Sequence, residues 1–498
     1  MSHAEPDTAV VMAQDPFLAL PNELFDVVLT CLDLSSIKML RLTSTQYASK
    51  CLCPAFKRYY SHRMIDLTPF SVQRLLQLAT HPVLGPAIND LTIVHVFYDP
   101  STWINTINSL RRDEGTIPDP KELKRQFSVS TGHLAWLLSK RQQQQGQFID
   151  DIVASLAQVL RNIGSLGSLR LGTCIVRQRT SDHFRLYDAA APGGFNWNAL
   201  WDDCHRLLKI VTLAMTRSKV NVDTLSVFDK CFGKVQSKFL TEISTDLTSR
   251  GFPEATGDKI KNLHLSFSTA TVVLGSDIAF MTHGSMIPLL SERLPEGVSS
   301  ARDPENFPGV AAFLKLTPEL ESLDLYMYNT LDGPPRAYDI VFTHIAKEVL
   351  LPKLRRLTLR GIRTTKEALL LFLRNHPGIT GLDLRDVHVS RGDWSPLLKH
   401  FQSMDKLSRL HLENCWSEPT HLLNLEPENK LFDDGKRGHG HSYSTKNGTM
   451  IHTRDITSEE LRQEGGLRFV KMKGSTRGKG SRTLMAWMKE RREAYGPP

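Results

Sequence analysis

A chain of 498 residues that is 41% hydrophobic and 23% charged has the composition of a globular protein, which excludes a wholly disordered or fibrous one. Its length suits two or three domains, or one short module followed by a repeat array. The net charge of +8 does not argue for a nucleic-acid partner: from Arg462 to the end ten Lys or Arg stand against three Glu, so that segment carries about +7 and the rest is near neutral.

The seven cysteines, Cys31, Cys51, Cys53, Cys174, Cys204, Cys231 and Cys415, are scattered and odd in number, which fits reduced thiols better than a disulfide framework. The opening MSHAEPDTAVVMAQDP has no basic segment followed by an apolar run, so no secretory signal is expected. No stretch reaches the roughly 18 apolar residues that cross a bilayer. The expected location is cytoplasmic, nuclear or both, with no membrane contact.

Residues 1–15 are expected to be disordered. From Phe17 to Tyr60 the pattern predicts three short helices. Pro21 suits a first helical turn and Glu23 favours the same end; Leu24, Phe25, Val28, Leu29 and Leu32 follow at helical spacing. Asp33, Ser35 and Ser36 offer a stop and a new cap before Ile37, Leu40 and Leu42. Thr43 and Ser44 offer another break before Tyr47, Cys51 and Phe56. So small a bundle has more apolar positions than it can bury, which leaves apolar surface for another chain or domain.

The run Leu20-Pro21-x-Glu23-Leu24, Val28-Leu29-x-x-Leu32, Leu34-x-x-Ile37-x-x-Leu40-Arg41 resembles the F-box. Its continuation through Tyr59, Leu67-Thr68, Ser71-Val72-x-Arg74-Leu75-Leu76 and Pro82-x-Leu84-Gly85 is similar to F-box proteins of filamentous fungi. The resemblance implies an F-box at 16–62 that docks on a Skp-family adaptor and through it on a cullin. It also implies Leu20, Pro21, Leu24, Val28, Leu29, Leu32 and Leu40 as the adaptor contacts. Where many F-boxes carry a tryptophan near the third helix, this chain has Tyr47.

Through 63–426 a second pattern recurs, LxxLxL followed by a small or apolar residue. The copies are Ile88-x-x-Leu91-x-Ile93, Leu166-x-x-Leu169-x-Leu171-x-x-Cys174, Val222-x-x-Leu225-x-Val227, Ile260-x-x-Leu263-x-Leu265, Leu320-x-x-Leu323-x-Leu325, Leu354-x-x-Leu357-x-Leu359, Ile379-x-x-Leu382-x-Leu384 and Leu407-x-x-Leu410-x-Leu412-x-x-Cys415. The last four start roughly 25–35 residues apart, near the upper end of the leucine-rich-repeat period. Helical segments lie between them. After Leu359, Thr364 and Glu367 read as a capping box ahead of Ala368, Leu369, Leu371, Phe372 and Leu373, with Pro377-Gly378 as the stop. A strand plus a helix cannot bury its apolar faces alone, so such units stack, with the strands lining one side.

This resembles the leucine-rich-repeat class of F-box proteins in an irregular form. The expected architecture is α/β: a three-helix F-box, a degenerate leucine-rich-repeat-like solenoid with inserted loops, and at 427–498 a largely flexible basic tail. The strand-lined face would be the substrate surface. A plain α/β domain is the rival reading, since LxxLxL also describes any buried strand of a parallel sheet. Cys174 and Cys415 read as core thiols without a second ligand at zinc spacing, and His439 and His441 in the glycine-rich stretch lack further ligands. Ser101–Gln126, Arg141–Gly146, Arg179–Asn198 and Pro295–Pro308 read as inserted loops.

KMKGSTRGKGSR lacks the phosphate-loop register, because Lys479 stands where a second glycine is needed. No G-x-S-x-G, H-E-x-x-H or C-x-x-C occurs. The expectation is therefore an adaptor with no active site, metal or cofactor, which holds an unidentified protein substrate beside cullin-borne machinery. Two alternatives stay open: an F-box scaffold with a non-proteolytic role, and a leucine-rich-repeat interaction module whose helical start packs internally.

Overall fold

The computed structural model describes residues 15–113, 119–146, 148–181, 197–229, 231–268, 304–327, 338–390, 394–417, 421–423, 425, 442–445, 448–451 and 453–462. His439, His441 and the KMKGSTRGKGSR stretch lie outside them, as do residues 1–14 and most of the Arg179–Asn198 and Pro295–Pro308 insertions.

The first 47 described residues make a small helical bundle with its own core. Four helices form, Asn22–Thr30, Leu34–Thr43, Thr45–Lys50 and Pro54–Ser61, where the sequence predicts three. The fourth arises because the chain breaks at Cys51–Cys53 and Pro54 restarts it at a first-turn position, where its missing N–H costs nothing. The second and third starts are capped by side chains: Asp33 Oδ1 accepts from the Ser36 N–H at 2.7 Å, and Ser44 Oγ from the Tyr47 N–H at 3.2 Å. Phe25, Leu29, Ile37, Tyr47, Cys51, Ala55 and Phe56 fill the interior. Asp15, expected to be disordered, accepts a 2.6 Å hydrogen bond from the Tyr47 hydroxyl. Asp26 accepts from the Ala55 N–H at 2.8 Å, joining the first helix to the last.

Behind the bundle runs one long sheet. Nine strands pair in parallel and in strict chain order: His62–Asp66, Asp90–Tyr98, Ser165–Val176, Asn221–Val227, Asn262–Ser268, Ser322–Met327, Arg356–Arg360, Gly381–Arg385 and Arg409–Glu413. Two more complete it: Thr453–Thr457 joins the last of these antiparallel, and the two-residue strand Val235–Gln236 pairs in parallel with Asn262–Ser268. A helix stands between each successive parallel pair, from Pro69–Ala79 to Ser395–Ser403.

All eight LxxLxL copies are strands of this sheet, and their leucines are in register. Leu171, Val227, Leu265, Leu325, Leu359, Leu384 and Leu412 point to one face, where Leu160, Leu208, Leu240, Phe313, Phe342, Phe372 and Phe401 of the intervening helices meet them in a single core. Each such burial is worth about 1.5–3 kcal/mol before the entropy of ordering the chain is charged against it.

The last three parallel strands end in the same turn. Gly361, Asp386 and Asn414 take positive φ of 67°, 53° and 48°, a region open to glycine and tolerated by Asp and Asn. The next residues, Ile362, Val387 and Cys415, are buried. Two-residue strands follow at Arg363–Thr364, His388–Val389 and Trp416–Ser417, paired with one another in parallel. The Cys415 thiol donates to the Leu384 carbonyl at 3.7 Å, and burial pushes both Cys174 and Cys415 above the ordinary thiol range.

The structure corrects three local expectations and adds one strand. The helix at Lys366–Asn375 is capped by Thr365 Oγ1, which accepts from the Ala368 N–H at 3.1 Å; Thr364 is taken up by the short strand. Ser101–Gln126 is no loop. Helices cover Ser101–Arg112 and Pro120–Gln145, the second including the glutamine tract and started by Asp119, whose carboxylate accepts from the Lys121 N–H at 2.9 Å. Trp103, Trp136 and Leu137 of this pair pack on the second face of the early strands, against Val94, Val96, Tyr98, Cys174 and Val176. His62–Asp66 is a strand that no apolar pattern marked. Finally, the described residues of the 427–498 segment form strands at Ser442–Thr445, Gly448–Ile451 and Thr453–Thr457, then a short helix, Ser458–Leu461, with a Thr457–Glu460 capping box; the rest of that segment lies outside the described residues. Ile456 and Leu461 join the main core and so fix that end. Among the described residues no helix is long and apolar enough to cross a membrane.

Candidate functional site

Two surfaces merit attention. The first is on the N-terminal bundle. Its interior is satisfied by one apolar stripe of the first helix, Phe25 and Leu29, while a second stripe faces outward: Leu24 is 54% and Val27 60% exposed. On the second helix Met39 and Leu42 are 64% and 79% exposed. Of the residues singled out from sequence, Pro21 and Leu24 lie on the surface, Leu20, Val28, Leu32 and Leu40 are half-buried, and Leu29 is inside the bundle. Leu29 thus supports the surface from within. Val27 and Met39 were not singled out, and Leu42 was read only as an apolar position of the second helix; the i, i+3 spacing of Val27 to Leu24 and of Met39 to Leu42 is the signal the sequence held for this surface. The nearby Cys51 and Cys53 thiols are raised by burial, the opposite of an activated nucleophile.

The second surface is the sheet face opposite the main core. Early in the sheet the helices Ser101–Arg112 and Pro120–Gln145 cover it. Further along, cross-strand register lines up a polar row: His264, Asp324, Thr358, Asp383, His411 and Asp455 are successive partners across six strands. Two residues further along the strands, Ser266, Tyr326, Arg360, Arg385, Glu413 and Thr453 form a second row.

Arg360 is the centre of this face. Its guanidinium donates to both Asp324 carboxylate oxygens at 3.0 Å and to Asp229 at 2.7 Å, and it lies over the Tyr326 ring at 5.1 Å. Burial works against the cation, but Asp324 and Asp229 outweigh it and hold the group above its ordinary value. Arg385 clamps Asp383 at 2.8 and 2.7 Å and reaches Glu413 at 3.8 Å. His264 sits 3.3 Å from Asp324, and His411 sits 3.0 Å from Asp455 and 3.7 Å from Glu413. These pairs orient one another, giving a strand-lined face of fixed, alternating charge suited to reading polar groups on another molecule.

Arg360→Met is expected to cost about 3 kcal/mol in urea unfolding, because it strands two mostly buried carboxylates. Asp229→Asn, which leaves the Asp324 pair whole, should cost about 1 kcal/mol. Equal, small effects for both would show that the cluster adds nothing to stability.

Among the described residues no group of three or more His, Cys, Asp and Glu is placed to hold a metal. No family model matches the chain, and no curated protein matches it in sequence.

Proposed function

We propose that the protein is the substrate-binding subunit of a Skp-cullin-F-box ubiquitin ligase, with the bundle at 16–62 as its F-box. The observation that carries this reading is the outward apolar stripe: a module with a complete core of its own still presents Leu24, Val27, Met39 and Leu42 to solvent. Exposed apolar residues of this kind mark interaction sites. The adaptor-facing set in this reading is Leu20, Pro21, Leu24, Val28, Leu32 and Leu40, extended by the three residues named above, with Leu29 holding them from beneath.

The repeat reading of 63–426 draws its support from strand order and from the recurring turn. Nine parallel strands that never change direction of addition, with a helix between each successive pair, are what stacked strand–helix units produce. A doubly wound sheet would reverse its order at a switch point. In this reading the domain is an irregular leucine-rich-repeat-like solenoid, and the charged face around Arg360 holds the target protein. Catalysis belongs to the cullin-borne machinery. The chain raises the effective concentration of target near it, so its contribution is positioning. Assembly with a cullin places it in the cytoplasm or nucleus.

The test is capture of a purified Skp-family adaptor by the wild type and by the Leu20→Ala, Pro21→Ala double variant. Capture by the wild type that is lost in a variant of unchanged circular dichroism supports the reading. A folded wild type that captures no adaptor overturns it and leaves an interaction scaffold of another kind.

A further inference from the structure

The last strand of the sheet is held differently from the others. Thr453–Thr457 is its only antiparallel member among the described residues, it has a single neighbour in the ladder, Arg409–Glu413, and of its residues only Ile456 is buried. Arg454 turns to Glu460 and to the Leu425 carbonyl, contacts that stay on the same side as the closing helix. On the polar face the strand is tied down through Asp455, whose carboxylate is 68% exposed. Its partner there is His411, with Arg409 at 3.9 Å as a weaker second contact.

His411 itself is 8% exposed and stands among carboxylates from three strands. Nδ1 faces Asp455 Oδ1 at 3.0 Å, Nε2 faces Glu413 Oε2 at 3.7 Å, and Asp383 is its register partner on the other side. Two arginines are set against them: Arg385, clamped on Asp383 and 3.8 Å from Glu413, and Arg409, 3.9 Å from Asp455. An imidazolium offers an N–H to each of the two near carboxylates. A neutral ring has one proton for both: if it stays on Nδ1, the Nε2 lone pair points at Glu413.

We propose that His411 is a pH-sensitive clasp on the final strand, closed when the ring is protonated and loosened when it is neutral. The sign follows from linkage. Burial alone would lower the imidazole, but Glu413, Asp455 and Asp383 outweigh it and raise the closed-state value above the ordinary one. A group raised in the closed state contributes its full stabilisation below the open-state value, about 6.5, and loses it as pH rises through the closed-state value. Loosening makes the Thr453–Thr457 ladder open more often along the outer edge of Arg409–Glu413, while Ile456 and Leu461 keep their places in the core.

The experiment is hydrogen exchange on the full chain between about pH 6 and 9, corrected for intrinsic exchange and read at the amides of 453–457, with Gly381–Arg385 as internal control. Local opening in the wild type should grow up to about tenfold per pH unit between the two imidazole values. In His411→Gln the profile should be flat, with the control strand unchanged. In Asp455→Asn, a substitution at an exposed side chain, the His411 imidazole followed by NMR should titrate lower than in the wild type. Identical pH profiles for wild type and His411→Gln, or a His411 titration at or below that of an ordinary histidine, would overturn the clasp.

Discussion

Capture of a Skp-family adaptor is expected to fall at least a hundredfold, roughly 2.7 kcal/mol, in the Leu24→Asp, Val27→Asp double variant, with the unfolding midpoint unchanged. Both side chains are more than half exposed, so nothing in the bundle is lost with them. Position 24 is also in the first helical turn, where an added carboxylate suits the helix dipole. Leu29→Ala is the contrasting change. Leu29 is fully buried with Phe25, Ile37 and Phe56, and its truncation should cost about 2–5 kcal/mol. In so small a module that is enough to lose binding through unfolding. Circular dichroism and adaptor titration together separate the two outcomes: a folded double variant that still binds at wild-type strength moves the contact off the first helix.

Gly309→Ala carries the largest expected cost of stability, at least about 3 kcal/mol by urea unfolding. The helix Gly309–Leu314 crosses Ser237–Ser249 so closely that a Cβ on Gly309 would stand 1.7 Å from the Ser237 carbonyl oxygen and 2.9 Å from the Thr241 nitrogen. Both obstacles are backbone, so the helix itself must shift, and it carries the buried Val310, Phe313 and Leu314. Gly132 is the opposite case. It lies within the helix Pro120–Gln145 with nothing within 4 Å of an added Cβ, so Gly132→Ala should stabilise by about 0.5–1 kcal/mol. If both changes fall within about 1 kcal/mol of zero in the same direction, the close helix crossing is not a feature of the protein in solution.

The sequence carried the parallel strands well wherever two leucines alternate on one face, because burial of that face sets the register. It failed where a strand buries little. HRMID at 62–66 and TRDIT at 453–457 give one face to the core through Ile65 and Ile456 alone among apolar residues of that face, too short a signal for any periodicity. The helices over 101–145 were missed for a related reason: in the longer one only Ser130 and Leu137 are buried, so no broad apolar stripe appears. The charged face was out of reach altogether. Asp229 and Arg360 meet across 131 residues of chain, and their meeting depends on the register of every strand between them. On the first helix the difficulty was one of sorting, since Leu24, Phe25, Val27, Val28 and Leu29 are all apolar and only packing decides which ones face solvent.

The strict chain order of the parallel strands also governs how the molecule comes apart. Because each of them is hydrogen-bonded only to the parallel strands before and after it, apart from the two-residue strand Val235–Gln236 beside Asn262–Ser268 and the closing strand Thr453–Thr457 beside Arg409–Glu413, removing one end leaves every other pairing intact. Loss of order then spreads inward strand by strand, as in a row of tiles lifted from its edge. Chains shortened at the C-terminal side should lose stability in increments, each the size of one strand–helix junction, and should keep the Asn221–Val227 neighbourhood folded long after the Arg360 cluster has gone.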